Sequence, residues 1–507
     1  MSPRDGVATR FLDRIERLGN RLPHPTLLFV WLCGFILLMS ALFAWLGVSA
    51  IHPVSGESIR AVNLIGVEGL HRILSESVSN FVQFAPVGTV LVAIMGIGVA
   101  ERSGLIDVLL KASVLRAPPR LLTFLVVLLA VMSSIAVDSG YVVLIPLAGM
   151  LFHALGRNPI AGIAAAFAGV SGGFSANLLL GPIDAVLAGL STEAAALGSP
   201  GYVVNPAANY YFSAVSTILV SLVVTAVTER VVIPRLGTLA ADVEVELVDR
   251  DISVTERRAL RVVGLFTLAV TAWLLWGLLP QQGFLREIGT GSLVHSPFIN
   301  GIVMVIALYA AIAGWLFGRI SGRFQSSSDM ITAMEASMAT MASYLVLMFF
   351  AAQFISYFSW SQLGLISAVR GAELLQTFNP GPAVLMVGFV LFAALVNLMI
   401  GSATAKWALL APAFIPMLMI AGISPEATQM AYRVGDSTTN IITPLMPYFG
   451  VVVAFAQRYD RNIGIGTIIA TMLPYTVWLL LGWSVLLVGW IVLEIPPGPG
   501  ATIFSAG

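Results

Sequence analysis

Long apolar runs separated by short polar breaks dominate this chain. Residues 26–47, "TLLFVWLCGFILLMSALFAWLG", carry no charge, and about 20 such residues cross a bilayer as a helix. The same pattern predicts crossings near 26–47, 119–136, 142–169 and 205–228. Four more fall near 297–317, 383–400, 407–434 and 463–491, with an additional one near 262–280. Two further apolar stretches, 84–105 and 341–365, read as re-entrant hairpins. The first contains Pro86, Gly88, Gly96 and Gly98, and backbone that leaves the helix at membrane depth is tolerated only against protein or a water-filled cavity. The predicted fold is an all-α polytopic membrane protein with about nine transmembrane helices and two re-entrant hairpins.

The pattern also repeats. "YVVLIPLAGMLFHALGRNP" (141–159) resembles "WALLAPAFIPMLMIAGISP" (407–425), pairing Pro146 with Pro412 and Pro159 with Pro425. "SANLLLGP" (175–182) echoes "STTNIITP" (437–444), and "ERSGLI" (101–106) parallels "WSQLGLI" (360–366). One copy then occupies 26–228 and the other 297–491. A single connecting helix within 262–296 forces the two into opposite orientations, an inverted repeat of the kind transporters use to build a midplane site.

Charge sets the orientation. Arg4, Arg10, Arg14, Arg17 and Arg21 mark residues 1–25 as cytoplasmic, and six arginines do the same for the 229–261 linker. The tail, 492–507, has no Lys or Arg and is expected outside, in the periplasm. No cleaved signal peptide is expected at the N-terminus. The composition, 58% hydrophobic and only 10% charged with a mean hydropathy of +0.92, is far from that of a soluble domain. A net charge of zero gives no footprint for nucleic acid. The single cysteine, Cys33, excludes an intramolecular disulfide and reads as a packing residue.

Polar groups inside crossings are costly and are functional candidates by default. The first copy offers Asp138, Asn177 and Asp184; the second offers Asn397, Lys406, Trp407, Arg433, Asp436 and Asn440. Structural readings stand beside each. Arg433 and Asp436 are three apart and could pair with each other. Asp138 and Lys406 could pair or lie at a membrane surface, and Trp407 could be an interfacial belt residue. Asn177 and Asn440 could satisfy broken-helix backbone, and Asp184 could sit in a loop. Arg433 and Asp436 have Phe167 and Val170 as counterparts at the repeat offset of 266, so the charges belong to one copy only. The chain has no P-loop, no H-E-x-x-H and no dinucleotide fingerprint. "GVSGG" lacks the strand–turn–helix setting of a nucleophile elbow. A passive channel and an intramembrane aspartyl protease built from Asp138 and Asp436 are the competing functional classes.

The stretches "VDSGYVVLIPLAG", "GVSGGFSANLLLGPID", "GSATAKWALLAPAF" and "RVGDSTTNIITPLMPYF" resemble the p-aminobenzoyl-glutamate transporter (AbgT) family, as do "RIERLGNRLPHPTLLF" near the start and "IPPGPG" near the end. The resemblance implies nine transmembrane helices, two hairpins and a bowl-shaped homodimer in the bacterial inner membrane. It implies substrates of the p-aminobenzoyl-glutamate and p-aminobenzoate type, with sulfonamides, carried inward by some members and exported against a proton gradient by others. The substrate pathway it implies maps onto Asp184, Thr404, Trp407, Pro425, Arg433, Asp436 and Pro444, to which the repeat adds Asn177. A Na+ site would comprise Asn397, Gly401, Asp436 and Asn440. The expected activity is secondary transport rather than catalysis, by proton-coupled antiport, with ion-coupled uptake as the alternative. Trp407 would stack on the aromatic ring and Arg433 would hold the anionic group bidentately. Asp184, expected in apolar surroundings, would carry the proton.

Overall fold

A computed structural model describes residues 25–51, 58–115, 118, 121–135, 140–237, 252–292, 296–378, 380–446 and 448–505. Asp138, residues 1–24 and the middle of the predicted linker lie outside that set. The uninterrupted apolar run at the start forms one helix, α1 (Pro25–Trp45), with Trp31, Leu38 and Trp45 exposed on its outer face. A small antiparallel ribbon follows, β1 (Ser49–Ile51) against β2 (Ser58–Arg60). Next come α2 (Val67–Val82), α3 (Ala85–Arg102) and α4 (Leu105–Leu115). Then α5 (Leu122–Met132) and α6 (Ile145–Ala154) run antiparallel, and α7 (Pro159–Phe167), α8 (Pro182–Ala195) and α9 (Tyr210–Val227) complete the first copy.

The connecting helix is α10 (Val254–Leu278), started by a capping box in which Ser253 Oγ accepts from the Glu256 N–H. The second copy repeats the order: α11 (Ile302–Ser321), α12 (Ser328–Ala339), α13 (Ala342–Trp360), α14 (Leu363–Phe378), α15 (Pro382–Asn397), α16 (Ala403–Ile420), α17 (Pro425–Thr438), α18 (Phe449–Gln457) and α19 (Ile465–Val492). The copies interlock, since α1 packs on α13, α3 on α11 and α9 on α19. The matched turns also agree in detail. The Leu105 N–H donates to Ser103 Oγ and the Leu363 N–H to Ser361 Oγ, and the turn residues Gly104 and Gln362 both take a positive φ, 77° and 61°.

The hairpins are not where the sequence pattern puts them. Residues 85–102 and 342–360 are each one unbroken helix. Pro86 sits in the first turn of α3, where a missing N–H costs nothing. Gly96 and Gly98 are packing positions instead of breaks: a Cβ on Gly96 would overlap the Ala307 backbone, and one on Gly98 the Ser337 side chain. The hairpins are α5–α6 and α15–α16. Arg157 Nη1 donates to Thr123 Oγ1 at 3.0 Å, which brings both arms of the first back to one side. The expected crossings at 142–169 and 407–434 are correspondingly split. Asn158 and Ser424 cap new helices by accepting from the Ile160 and Ala427 N–H groups, with Pro159 and Pro425 at the first helical position, a strong start signal.

Each copy therefore contains one hairpin and one crossing made of two half-helices, α7–α8 and α17–α18. Among the described residues eight helices are long and apolar enough to cross a membrane, α16 of the second hairpin included. The two breaks meet at the centre, where the Ser175 N–H donates to Ser437 Oγ at 3.1 Å and Asn440 Nδ2 to the Ser171 carbonyl at 3.2 Å.

Candidate functional site

Every residue of α17 is buried, although its sequence, "PEATQMAYRVGDST", is polar. Gln429, Arg433 and Asp436 recur at i, i+4 and i+7, which puts them on one helical face. Each must find a partner inside the protein, because a buried charge without one is costly. Arg433 does not pair with Asp436, the structural option the spacing allowed. Its guanidinium lies 2.7 Å from Asp184 Oδ1, and Asp184 Oδ2 accepts the Gly181 N–H at 2.7 Å. Asp184 thus sits in the first turn of α8, where the helix dipole favours a negative charge. Its expected apolar surroundings and the loop option are both corrected. Nη2 is the guanidinium nitrogen that faces Asp184, and Nε has no hydrogen-bond acceptor among the described residues. These two atoms form the side-on fork that grips a carboxylate.

One turn further on, Asp436 Oδ1 lies 2.5 Å from Lys406 Nζ, with both side chains fully buried. Lys406 also donates to Asn397 Oδ1, so neither the membrane surface nor Asp138 is needed to explain it. Asn397 Nδ2 faces the Asp436 carbonyl at 2.5 Å, Thr439 Oγ1 at 2.8 Å and Asn440 Oδ1 at 2.9 Å. The structure therefore gathers Asn397, Asp436 and Asn440, as the expected cation site requires. Their oxygens, however, already serve a primary ammonium and one another. Only Asp436 Oδ2 is left without a partner, and this arrangement does not fit a bare sodium ion as well. Gly401 contributes by lacking a side chain: a Cβ there would meet the Leu445 carbonyl at 2.7 Å, so it lets the tip of the second hairpin touch the turn after α17.

The remaining candidates are dispersed. Trp407 is fully buried and stacks on Tyr432 with centroids 4.4 Å apart. Its Nε1 donates to Ser191 Oγ at 3.0 Å. It is not a belt residue, and Tyr432 holds one of the faces expected to stack on a ligand. Asn177 donates to Ser134 Oγ at 2.9 Å and accepts the Leu179 N–H at 2.9 Å, tying the first hairpin's tip to the first break. Pro425 opens α17, about 12 Å along the axis from Arg433 at 1.5 Å per residue. Pro444 lies in the half-buried turn after α17. Thr404 lines a cavity of about 460 Å³ between α3, α8 and the start of α13, together with Arg102, Phe174 and Tyr344. A crevice of about 10 Å³ adjoins it and reaches Asp184 and Arg433; Ser134 and Phe174 border both spaces. Sequence reasoning missed Tyr432, Ser191, Arg102 and Gln429, which accepts from Ser191 Oγ at 3.0 Å. Only Gln429 left a signal, its place in the polar stripe of α17.

No group of three His, Cys, Asp or Glu suited to a metal ion occurs among the described residues. The family model of the AbgT putative transporter family matches residues 10–505. The chain belongs to this family. It is a multi-pass membrane transporter and not an enzyme. It is 34% identical over 98% of both chains to the p-aminobenzoyl-glutamate transport protein of Escherichia coli (strain K12). Among solved structures it resembles the YdaH transporter of Alcanivorax borkumensis, with a TM-score of 0.90, 54% identity, and coverage of 94% of this chain and 100% of that one. It also resembles MtrF of Neisseria gonorrhoeae, described within a class of antimetabolite efflux pumps, with a TM-score of 0.92, 45% identity, and coverage of 97% and 100%. Among the described residues, this AbgT-family transporter carries two buried ion pairs, both on one helix, α17, at the junction of both hairpins and both breaks.

Proposed function

We propose that this transporter moves p-aminobenzoyl-glutamate, p-aminobenzoate and related folate metabolites, with sulfonamides as further ligands, across the bacterial inner membrane as a proton-coupled efflux antiporter. One observation carries the substrate class: the buried Arg433 fork, with Nη2 against Asp184 Oδ1 at 2.7 Å and Nε without an acceptor among the described residues. A buried donor left unpaired costs about 1–3 kcal/mol, so a ligand carboxylate that completes the fork gains that much. In this reading the anion takes Arg433 from Asp184, and Asp184 is the group that exchanges a proton. One proton crossing 100 mV supplies about 2.3 kcal/mol, enough for a gradient between tenfold and a hundredfold. Likeness to MtrF supports efflux. The homodimer rests on the family resemblance.

The ion pair favours a second reading, proton-coupled uptake. A proton on Asp184 removes the charge holding Arg433, so protonation and anion capture assist each other, whereas antiport needs them to exclude each other. Reconstituted vesicles decide between the two. With labelled p-aminobenzoate and p-aminobenzoyl-glutamate, efflux antiport predicts counterflow and substrate movement opposite to an imposed proton gradient; uptake predicts movement with it. Equal fluxes with and without the gradient contradict both, and Na+ replaced by choline should change neither.

A further inference from the structure

The space around Arg433 raises a problem of size. The crevice that reaches Arg433 and Asp184 holds about 10 Å³, less than one aromatic ring. The adjoining cavity, at about 460 Å³, falls within the range of small-molecule sites. A ligand of the proposed class therefore does not fit beside Arg433 in this conformation, and the adjoining space is large enough to hold it.

That space has the chemistry to hold it. Its wall is apolar along one flank of α3, through Val90, Ile94 and Ile97, and Phe174 stands where the cavity narrows to the crevice. Tyr344 and Thr404 add hydroxyls, the former donating to the Pro86 carbonyl at 3.0 Å. Arg102 is the only cationic residue among those lining the cavity, and Glu101 beside it the only acidic one. Arg102 is held by α12: Nε donates to Ser337 Oγ at 3.3 Å and Nη2 to the Ala336 carbonyl at 3.2 Å. A guanidinium held in place by α12, beside an apolar wall and with an aromatic ring where the cavity meets the crevice, suits an amphipathic aromatic anion.

We propose that this cavity is a separate loading station for the aromatic carboxylate, with Arg102 as its first cationic contact, and that Arg433 receives the ligand in a second step. The station rests on the substrate class proposed above. Transport then has two arginine stations in series, and breaking the Asp184–Arg433 pair opens the way from one to the other.

The test reads occupancy of the outer cavity directly. In a Cys33→Ala background, Thr340→Cys places a single thiol on the cavity wall, and its rate of reaction with a maleimide is measured with and without p-aminobenzoate. At ten times its dissociation constant for the outer cavity, taken from the concentration dependence of this protection, the ligand should slow labelling about tenfold. The protection should survive Arg433→Gln and disappear with Arg102→Ala. Arg102→Gln, which keeps a donor for Ser337, replaces the alanine variant if that one does not fold. Protection that vanishes with Arg433→Gln, or persists unchanged without Arg102, overturns the proposal. Counterflow of labelled p-aminobenzoate is measured on the same Thr340→Cys protein. Counterflow without protection overturns the station and leaves the substrate class standing. If both are absent, the substrate class is wrong and the station falls with it.

Discussion

Arg433 and Asp184 are partners across the two copies, joined at 2.7 Å between α17 and α8, and that changes what a mutation at either position means. Neutralising Arg433 alone leaves a buried carboxylate, and breaking a buried pair by removing one partner costs about 3–5 kcal/mol. Arg433→Gln should therefore lower the thermal unfolding temperature in detergent as well as stop transport. The double variant Arg433→Gln with Asp184→Asn should recover most of that stability and none of the transport. Equal losses in the single and double variants would mean that the pair does not act as one unit. Sequence reading found both residues but not their pairing. The i, i+3 spacing offered Asp436 as a local partner, and only the crossing of two half-helices brings Asp184 to Arg433. Lys406 was visible as a charge in a span, yet its position among Asn397 and Asp436 depends on how the tip of the second hairpin folds over α17.

At the scale of elements, the start signals were legible and the breaks were misread. Asn158–Pro159 and Ser424–Pro425 are helix starts by local chemistry, and the repeat aligned them correctly. In the sequence the glycines of α3 read as breaks because glycine is a poor helix former in water. Within a membrane bundle, small residues let helices approach closely, and Gly96 does so against α11. This gives a paired prediction. Gly96→Ala should destabilise the protein by about 1–3 kcal/mol through overpacking. Gly88→Ala lies in the same helix with nothing within 4 Å of its added Cβ, and it should be neutral or slightly stabilising. Thermal unfolding of the two variants measures the difference. Similar melting of both would remove the packing role of Gly96.

For the whole molecule, the inverted repeat was readable because motifs recur in order at a nearly constant offset. The position of the site follows from it, since two hairpin tips and two helix breaks must converge where the copies meet. The distribution of function within that frame was not readable. The framework is built twice, through Asn177 and Asn440 in the two helix breaks, while the two buried cation–anion pairs among the described residues both involve α17, an element of the second copy. The size contrast between the outer cavity and the inner crevice is a property of packed surfaces and leaves no trace in residue order.

The central claim is that Arg433 exchanges Asp184 for the carboxylate of the ligand. Equilibrium binding of p-aminobenzoate to purified wild type, Arg433→Gln and Asp184→Asn tests it most directly. A charge-assisted hydrogen bond is worth about 1.5–3 kcal/mol, so Arg433→Gln should weaken binding by roughly tenfold to a hundredfold or more. Asp184→Asn removes the competitor and should bind at least as tightly as wild type. Unchanged affinity in Arg433→Gln, or a loss in Asp184→Asn as large as that in Arg433→Gln, would contradict the account.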